Sequence, residues 1–453
     1  MLKNNIYLPI EISRRELDYK ILLAAEIYDS EKRIFIGENE AINKAIKFTS
    51  NGVFVGKSFI TPYLLTDLTN INYLKNKNIN ICYIDEEGAV FAGDENNWIT
   101  ILENKFDPSI LDSEDILTTW GDFQKDVYKK TEHNCKIVTT GTPRFSLLQK
   151  YSSLIEKPIN APDKFILINT NFGFSLSAHG CSYYLNSDYQ FMSNKNDDLN
   201  YKFGRWVDSN ITFSYFIDLI YQLSKDIEGY KIVIRSHPSE DKQFYLRAFE
   251  NHKNVIIDDS STAVNWMKYA DLIIHNGSTS GIEGYFLNKH IINFVPHVND
   301  TYMIKLPNMV GITYSTITEI IDYINNLDTS KDILSLENNE NFKKMIANVN
   351  LNLDTFSAIV NLVDTQLNQQ NKVHLNMKKF KFYYNLIDQK RKIKNIIRKL
   401  LYKERYKLYI SMKKKYEVYD RNTLRFKIDK AFSLNNKKYE NIHFINEYLF
   451  IIE

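Results

Sequence analysis

Two polar segments near the middle of the chain carry side chains that are suited to binding phosphate. The apolar runs at residues 232–234 and 272–274 predict strands, and each run leads into a polar stretch, RSHP and HNGSTSG respectively. Ligands of open parallel sheets bind at the carboxyl ends of strands. A Gly/Ser/Thr loop that opens a helix offers backbone N–H groups, hydroxyls and the positive end of the helix dipole. The pattern predicts a phosphate site formed by these residues: His237, Pro238, Ser278, Thr279 and Ser280.

Each segment alone also fits an ordinary structural role. A proline often marks the end of a strand, and GSTSG is also typical of a well-capped helix start. Their occurrence at the ends of two neighbouring predicted strands favours the phosphate site. Arg235 either adds positive charge there or faces solvent. Glu283 lies one turn into the predicted helix, where its carboxylate is placed to accept hydrogen bonds from ribose hydroxyls.

A second group of candidate residues is acidic. Asp85, Glu86 and Glu87 follow the predicted strand at residues 79–84, and Asp94 comes soon after. Glycosyl transfer needs a carboxylate as base, nucleophile or cation stabiliser, and adjacent acids shift each other's pKa. A solvated acidic turn explains the same residues without any chemistry.

Alternating strand and helix patterns supply the elements that would position these groups. Strands are predicted in the first half at residues 5–10, 33–36, 53–55, 79–84, 115–118 and 136–139, and in the second at 165–169, 231–234, 255–257, 272–274 and 291–294. Long helices are predicted at residues 14–28 and 209–227, and the weakly periodic segment 175–208 is predicted to be a loop or lid. Strands separated by helices imply parallel sheets. The predicted domains are residues 1–155, 164–365 and 370–453.

The composition limits the class of protein. A chain of 453 residues with 44% hydrophobic residues suits two domains with an extension. Three isolated cysteines suggest neither a disulfide framework nor a zinc site. Charges interrupt the N-terminus where a signal peptide needs an apolar run, and no apolar stretch is long enough to span a bilayer, so a cytoplasmic location is expected.

The C-terminal segment differs in charge from the rest of the chain. Residues 372–453 hold 22 lysines and arginines against 8 acidic residues, although the whole chain has a net charge of +2. No glycine or proline follows Gly311, which favours helices. A predicted helix places five apolar residues on one face among basic ones: Ile393, Ile396, Ile397, Leu400 and Leu401. Such a helix either lies on an anionic membrane surface or packs its apolar stripe on the protein.

Five sequence blocks together resemble the bacterial surface carbohydrate biosynthesis proteins, which are related to the Kdo transferases of capsule assembly and to sialyltransferase-like enzymes. The blocks are IYLPIEISRRELDYKILLA, IDEEG, VTTGTPRFSLL, FILINTNFG and the HP dipeptide with the serine loop. They occur in the expected order over roughly residues 5–300. The resemblance implies an α/β fold of the GT-B type, in which two Rossmann-like domains with parallel sheets face a cleft.

The resemblance also implies roles for individual residues. Glu86, Glu87 and Asp94 would be the catalytic carboxylates, although this chain has DEEGAVF where the relatives have a longer, arginine-containing segment. Arg14 either binds the acceptor or the carboxylate of a 2-keto acid sugar, or is a surface charge on a helix. Arg144 either contacts the donor or ties the domains together. Asn171 lies either in a turn that leaves room for a ligand or in a plain tight turn.

The resulting prediction is a glycosyltransferase of surface polysaccharide biosynthesis. It would transfer a Kdo-like or sialic-acid-like sugar from a CMP-linked donor to a glycan or lipid-linked glycan acceptor, without a metal or other cofactor and without a nucleic-acid partner. Three alternatives remain: a CDP-glycerol or CDP-ribitol phosphotransferase, a UDP-sugar 2-epimerase, and a non-catalytic scaffold for polysaccharide assembly. The phosphotransferase reaction needs no carboxylate nucleophile. A scaffold needs none of the acidic residues Asp85, Glu86 and Glu87.

Overall fold

The computed structural model describes residues 1–57, 67–86, 91–186, 195–329, 336, 339–350, 352–401 and 417–453. Glu87 lies outside these described residues. The strands are β1 (Leu2–Ile10), β2 (Lys32–Glu38), β3 (Gly52–Val55), β4 (Ile79–Ile84), β5 (Ile116–Thr119), β6 (Lys136–Thr139), β7 (Phe165–Asn169), β8 (Lys231–Arg235), β9 (Val255–Ile257), β10 (Leu272–His275), β11 (His290–Phe294), β12 (Ile312–Tyr314), β13 (Val373–His374), β14 (Ile442–Asn446) and β15 (Leu449–Ile452).

Helices connect most of these strands. They are α1 (Ser13–Ile27), α2 (Asn39–Ile46), α3 (Asp67–Asn76), α4 (Glu95–Lys105), α5 (Asp122–Tyr128), α6 (Pro143–Lys150), α7 (Tyr183–Asn186), α8 (Lys195–Asp226), α9 (Lys242–Ala248), α10 (Ala263–Tyr269), α11 (Thr279–Phe286), α12 (Ile317–Asn325), α13 (Glu340–Met345), α14 (Thr355–Leu367), α15 (Met377–Leu401) and α16 (Arg421–Leu434). Among the described helices, none combines the length and apolar character that crossing a bilayer requires.

The chain forms two compact units. The first comprises residues 1–86, 102–147 and 343–453, and the second comprises residues 87–101 and 148–342. These bounds correct the predicted domains, because residues 343–453 return to the first unit and residues 87–101 belong to the second. A contiguous sequence pattern contains no signal for such a return.

The sheet of the first unit has the strand order β14-β15-β2-β1-β3-β4-β5-β6. Strands β2, β1, β3, β4, β5 and β6 are parallel, while β15 pairs antiparallel with β2, and β14 with β15. All residues of β4 are buried, as expected for a parallel strand covered on both faces. Strand β2 lies on one side of β1 and β3 lies on the other side. The direction in which strands are added therefore reverses at β1, which creates a topological switch point.

The sheet of the second unit is parallel throughout, in the order β12-β11-β10-β7-β8-β9. Alternate side chains enter two separate cores, because Ile166 and Ile168 pack on one face and Phe165 and Leu167 on the other. This strand order is that of the doubly wound dinucleotide-binding fold. The predicted α/β class with two Rossmann-like sheets is therefore confirmed.

Two local predictions were wrong. Residues 195–208, predicted as part of a loop or lid, form the first half of α8. The C-terminal segment, predicted as mostly helical, ends in the hairpin β14–β15, which extends the first sheet. Glu453 accepts a hydrogen bond from Arg33, a nearly fully buried side chain of β2, so the hairpin is part of the packed body.

Candidate functional site

The carboxyl ends of β7 and β10 form the switch point of the second sheet. The chain runs from β7 through β8 and β9 on one side, then starts again at β10 on the other side of β7. In open α/β sheets the loops diverge at this point and leave a crevice for ligands. Asn169 ends β7 and His275 ends β10, so these two residues mark the floor of the candidate site.

Asn169 carries unsatisfied polar atoms at this floor. Its side chain is buried, and within the described part of the chain neither Oδ1 nor Nδ2 has a hydrogen-bond partner. Leaving such a buried group unpaired costs about 1–3 kcal/mol. Buried polar groups in native proteins are nearly always paired, so this amide is the strongest indication that a polar ligand completes the site.

The loop after β10 starts helix α11 in the way that the sequence predicts. Ser278 is the N-cap, and its Oγ accepts hydrogen bonds from the Ser280 backbone N–H (3.3 Å) and from Ser280 Oγ (2.9 Å). Gly277 has φ +57°, a conformation that favours glycine, and its N–H donates to Asn308 Oδ1 (2.8 Å). The hydroxyl of Thr279 has no partner among the described residues and remains available to a ligand.

His275 supports this loop from the protein interior. It is fully buried, and its Nδ1 accepts a hydrogen bond from the Ser278 N–H (3.4 Å). Burial lowers the pKa of His275 to about 3, so the ring stays neutral and supports the loop without competing for an anion. A Cβ on Gly281 would lie 2.1 Å from His275 Nε2, so only glycine permits this packing.

His237 follows β8 and has a defined tautomer. Its Nδ1 accepts a hydrogen bond from the Ser239 N–H (3.2 Å) and lies 2.7 Å from Ser239 Oγ. A neutral ring held in this way carries its proton on Nε2, which becomes the donor. His237 thus presents an N–H group after β8, although the backbone geometry and not the HP dipeptide sets its orientation.

A buried carboxylate ties the loops after β7 and β8 together. Glu240 accepts hydrogen bonds from Thr170 Oγ1 (2.7 Å), the Phe172 N–H (2.6 Å) and Tyr245 Oη (2.7 Å). Burial raises the pKa of Glu240, and these three donors oppose that rise. This network fixes the backbone between Asn169 and Asn171 relative to the loop that bears His237.

The remaining residues that the sequence predicts for this site differ in how deeply their side chains are buried. Glu283 is buried on α11, one turn beyond the capped start, and Asn171 is exposed after β7. Pro238 is exposed, and half-buried Arg235 donates from Nη2 to the Ser261 carbonyl (3.3 Å). The second unit therefore places the serine loop at the carboxyl end of β10, beside the switch point. Asn171 and Pro238 lie on neighbouring loops, Arg235 is the last residue of β8, and Glu283 lies on α11.

A pocket of about 90 Å³ opens beside the serine loop. Asn171, Asn276 and Gly277 form its switch-point side. One face of α8 and the segment after β11 form its other walls, with the side chains of Arg205, Asp208, Ser209, Thr212, His297, Asn299 and Tyr302. Asp208 and His297 could not be found from the sequence, because they lie far apart in the chain and in no motif.

Glu86 belongs to a buried charged cluster in the first unit. It follows β4, accepts a hydrogen bond from Tyr19 Oη and lies 3.6 Å from Lys20 Nζ. Lys20 also donates to the Val55 carbonyl at the end of β3 (3.0 Å). The cluster therefore lies at the carboxyl ends of β1, β3 and β4, beside the switch point of the first sheet.

Glu16 is a second carboxylate of this cluster, and the sequence analysis did not assign it a role. Its carboxylate accepts hydrogen bonds from the backbone N–H groups of Glu11 (2.9 Å) and Ile12 (3.3 Å). Burial, followed by the negative charge of Glu86, raises the pKa of Glu16 to about 8. At neutral pH Glu16 therefore mostly holds a proton, as a general acid must.

The other predicted residues of the first half have different surroundings. Arg14 is partly exposed and pairs with Glu417 (2.9 Å), a residue of the C-terminal segment. Asp94 is exposed and accepts a hydrogen bond from the Asn97 N–H (3.0 Å) at the start of α4. It lies in the second unit, whereas Glu86 lies in the first. Arg144 is largely buried, and its charge lowers the raised pKa of Tyr19, which places it close to the cluster.

Among the described residues, no group of three or more histidine, cysteine, aspartate or glutamate side chains is arranged to hold a metal ion. The candidate site consists of a capped serine loop, an unsatisfied asparagine, an oriented histidine and a polar pocket in the second unit. A buried carboxylate cluster lies in the first unit. The groups of the second unit can bind a phosphorylated ligand, and the carboxyl groups of the first unit can exchange a proton.

No family model matches the chain, and no curated protein matches it. Among solved structures it is similar to the wall teichoic acid polymerase TagF, with 13% identity, a TM-score of 0.47 and coverage of 81% of this chain and 90% of that one. It is also similar to Methanocaldococcus jannaschii UDP-GlcNAc 2-epimerase in complex with UDP-GlcNAc and UDP (14%, TM-score 0.39, 77% and 99%). S. aureus MnaA with UDP gives 9% identity, a TM-score of 0.45 and coverages of 81% and 97%. These likenesses are too weak to assign a function.

Proposed function

We propose that this chain is a nucleotide-sugar-dependent glycosyltransferase of surface polysaccharide biosynthesis, serving a capsule or a lipopolysaccharide. The observation that carries the proposal is the buried Asn169 amide without partners, next to the capped serine loop at a switch point of a doubly wound sheet. The nucleotide phosphate would bind Ser278, Thr279 and Ser280 together with the Nε2–H group of His237. Glu283 would accept hydrogen bonds from the ribose.

The donor in this proposal is a CMP-linked sugar of the Kdo or sialic acid kind, and the acceptor is a glycan or a lipid-linked glycan. The sequence blocks described above favour this donor class. The first unit would supply the carboxylates, with Glu86 as the residue most expected to act in the reaction. No metal or other cofactor is part of the proposal, because the serine loop, α11 and His237 can neutralise the leaving phosphate.

A second candidate function is phosphotransfer from CDP-glycerol or CDP-ribitol. The observation that favours it is the burial of Glu86 between Tyr19 and Lys20, since attack on phosphorus needs no carboxylate nucleophile. The UDP-sugar 2-epimerase alternative uses the same kind of phosphate site. The identity of the bound nucleotide separates these three reactions.

Replacing His237 by alanine or Thr279 by valine is expected to weaken nucleotide binding. Each change removes one hydrogen-bond donor to phosphate, which corresponds to about 1–3 kcal/mol, or roughly 5- to 150-fold in Kd. Isothermal titration of the wild type with CMP, CDP and UDP identifies the nucleotide, and titration of the variants measures the loss.

Two residues away from the site provide matched controls. His252→Ala and Ser214→Ala should leave the nucleotide affinity unchanged, because His252 precedes β9 and contacts Ser224 (2.8 Å), and Ser214 donates to the Asn210 carbonyl within α8. Wild-type affinity in both His237→Ala and Thr279→Val would refute the phosphate site. Preference for CDP or UDP over CMP would replace the proposed donor with one of the alternatives.

The proposal also locates the protein in the cytoplasm, at the inner face of the plasma membrane. The first half of α15 packs on the body through Phe380, Tyr384 and Asp388. Its second half exposes a stripe of apolar side chains, each 46–70% exposed: Ile393, Ile396, Ile397, Leu400 and Leu401. Basic residues flank the stripe, and a basic amphipathic helix binds an anionic membrane through both features.

The double change Ile397→Asn and Leu400→Asn is expected to reduce membrane binding at least about tenfold, since each buried apolar side chain contributes about 1.5–3 kcal/mol. Cosedimentation with vesicles containing phosphatidylserine measures the bound fraction at low and high salt. Leu246→Asn, at an exposed site on α9, is the matched control. Wild-type protein that ignores the vesicles at low salt would refute the membrane contact.

A further inference from the structure

The pocket beside the serine loop contains a pair of side chains that neither the phosphate site nor the acidic cluster uses. Asp208 on α8 and His297 after β11 approach each other, with 3.2 Å between Asp208 Oδ1 and His297 Nε2. The side chains are 18% and 33% exposed, so both are shielded but remain reachable from the pocket. This arrangement resembles the carboxylate–histidine pairs that orient an imidazole for a ligand.

Asp208 determines which nitrogen of His297 faces a ligand. Burial raises the pKa of Asp208, whereas the charge of Arg205 and the hydrogen bond from His297 oppose that rise. With the carboxylate ionised and the ring neutral, Nε2–H donates to Asp208 and Nδ1 keeps its lone pair. Among the described residues His297 Nδ1 has no partner. A lone pair in this position accepts a hydrogen bond from a hydroxyl or an N–H group.

The other walls of the pocket are both polar and aromatic. The Arg205 guanidinium lies 4.8 Å from the centre of the Phe174 ring, and its Nη1 donates to Tyr201 Oη (3.2 Å). Tyr302 packs edge-on against Tyr201. Rings beside hydrogen-bonding groups suit a molecule with apolar C–H faces and polar hydroxyl edges, which describes a sugar or a polyol.

The size and position of the pocket agree with such an occupant. Its volume of about 90 Å³ corresponds to roughly six to nine water-sized spheres. Asn276 and Gly277 belong both to the pocket lining and to the loop that leads into Ser278. A group covalently attached to a phosphate on the serine loop can therefore enter the pocket directly.

We infer that this pocket binds the hydroxyl-bearing group that the nucleotide carries. His297 Nδ1 accepts a hydrogen bond from one hydroxyl of that group, and Asp208 holds His297 in the required tautomer. The inference rests on the proposed function, because it requires a nucleotide on the serine loop. It adds a specificity site to that function: Asp208 and His297 distinguish a nucleotide conjugate from the free nucleotide. Asp208 is a positioning residue, since it acts through His297.

The test compares each free nucleotide with its conjugate. CMP and CMP-sialic acid, CDP and CDP-glycerol, and UDP and UDP-GlcNAc are titrated into the wild type, His297→Leu and Asp208→Asn. One conjugate should bind the wild type more tightly than its free nucleotide. In both variants that advantage should fall about tenfold, the loss of one hydrogen bond in a shielded site, while the free nucleotide binds within twofold of wild type.

The matched control is Asp218→Asn, an exposed aspartate on the same helix that pairs only with Gln222, and it should change neither affinity. Equal losses for nucleotide and conjugate would overturn the inference, because the pocket would then hold part of the nucleotide. An unchanged advantage in both variants would also overturn it. If no free nucleotide binds the wild type, the proposed function itself fails, and the inference fails with it.

Discussion

Glu86→Gln is expected to abolish most of the transfer activity while nucleotide binding persists. The change keeps the shape of the side chain and removes the charge that pairs with Lys20 at the end of β4. A carboxylate that acts as base or nucleophile contributes about 10²–10⁴-fold to a rate. Initial rates with the conjugate that binds most tightly measure the loss, and titration with the free nucleotide shows that the second unit is intact.

The interpretation depends on separating chemistry from stability. Breaking a buried ion pair by removing one partner destabilises a protein by about 3–5 kcal/mol, because the other charge stays buried alone. The double variant Glu86→Gln, Lys20→Met removes both charges and should melt closer to the wild type than the single variant does. If activity returns in the double variant, Glu86 has only a structural role.

Glu87→Gln and Asp94→Asn complete the series, because the sequence predicts that at least one of the three acids acts in catalysis. The exposed position of Asp94 at the start of α4 leads us to expect a small effect there, limited to the loss of a helix cap. Activity near wild type in all three variants would place the chemistry elsewhere and favour the phosphotransferase reaction.

Deleting residues 442–453 is expected to unfold the first unit. Strand β15 buries four apolar side chains, Leu449, Phe450, Ile451 and Ile452, each contributing about 1.5–3 kcal/mol. The deletion also leaves buried Arg33 without Glu453. The summed loss of stabilising free energy is comparable with the free energy of unfolding of a typical protein, about 5–15 kcal/mol. Thermal unfolding and limited proteolysis should show loss of the first unit.

A point substitution tests the same idea without shortening the chain. Ile451→Asp places a charge in the core and should lower the melting temperature severely, whereas Leu434→Asp, at an exposed site in the same segment, should be tolerated. A truncated protein that melts like the wild type would contradict the assigned role of the hairpin. The sequence predicted a separate domain at residues 370–453, but the pairing of β15 with β2 makes the end of this segment part of the first sheet.

Local sequence patterns were sufficient to predict most of the parallel strands. The predicted bounds of β6, β7 and β9 match the structure, because a short apolar run between polar loops is typical of a strand. The serine loop was predictable for the same reason, since Ser278, Thr279 and Gly281 act on their immediate neighbours.

Long-range pairing was not predictable from such patterns. The hairpin β14–β15 turns at Glu447 and Tyr448 without glycine or proline, and its partner strand lies at the other end of the chain. The first half of α8 was missed although Leu199, Phe203 and Val207 recur at the four-residue spacing of one helix face, because the polar run NKNDD before them is typical of a loop. Asp208 and His297 meet only in the folded protein, and a single sequence contains no signal that links them.

The return of the chain to its first sheet has a consequence for folding during synthesis. Strand β2 is among the first segments made, but its partner β15 is made after the whole second unit. Until then one edge of the first sheet has unpaired backbone groups, and exposed strand edges promote aggregation. The sheet of the second unit is contiguous in the chain. This unit can therefore fold during synthesis, because domains generally fold as units. The first unit completes its sheet last, so a chaperone that covers the open edge of β2 would act on nascent chains throughout that interval.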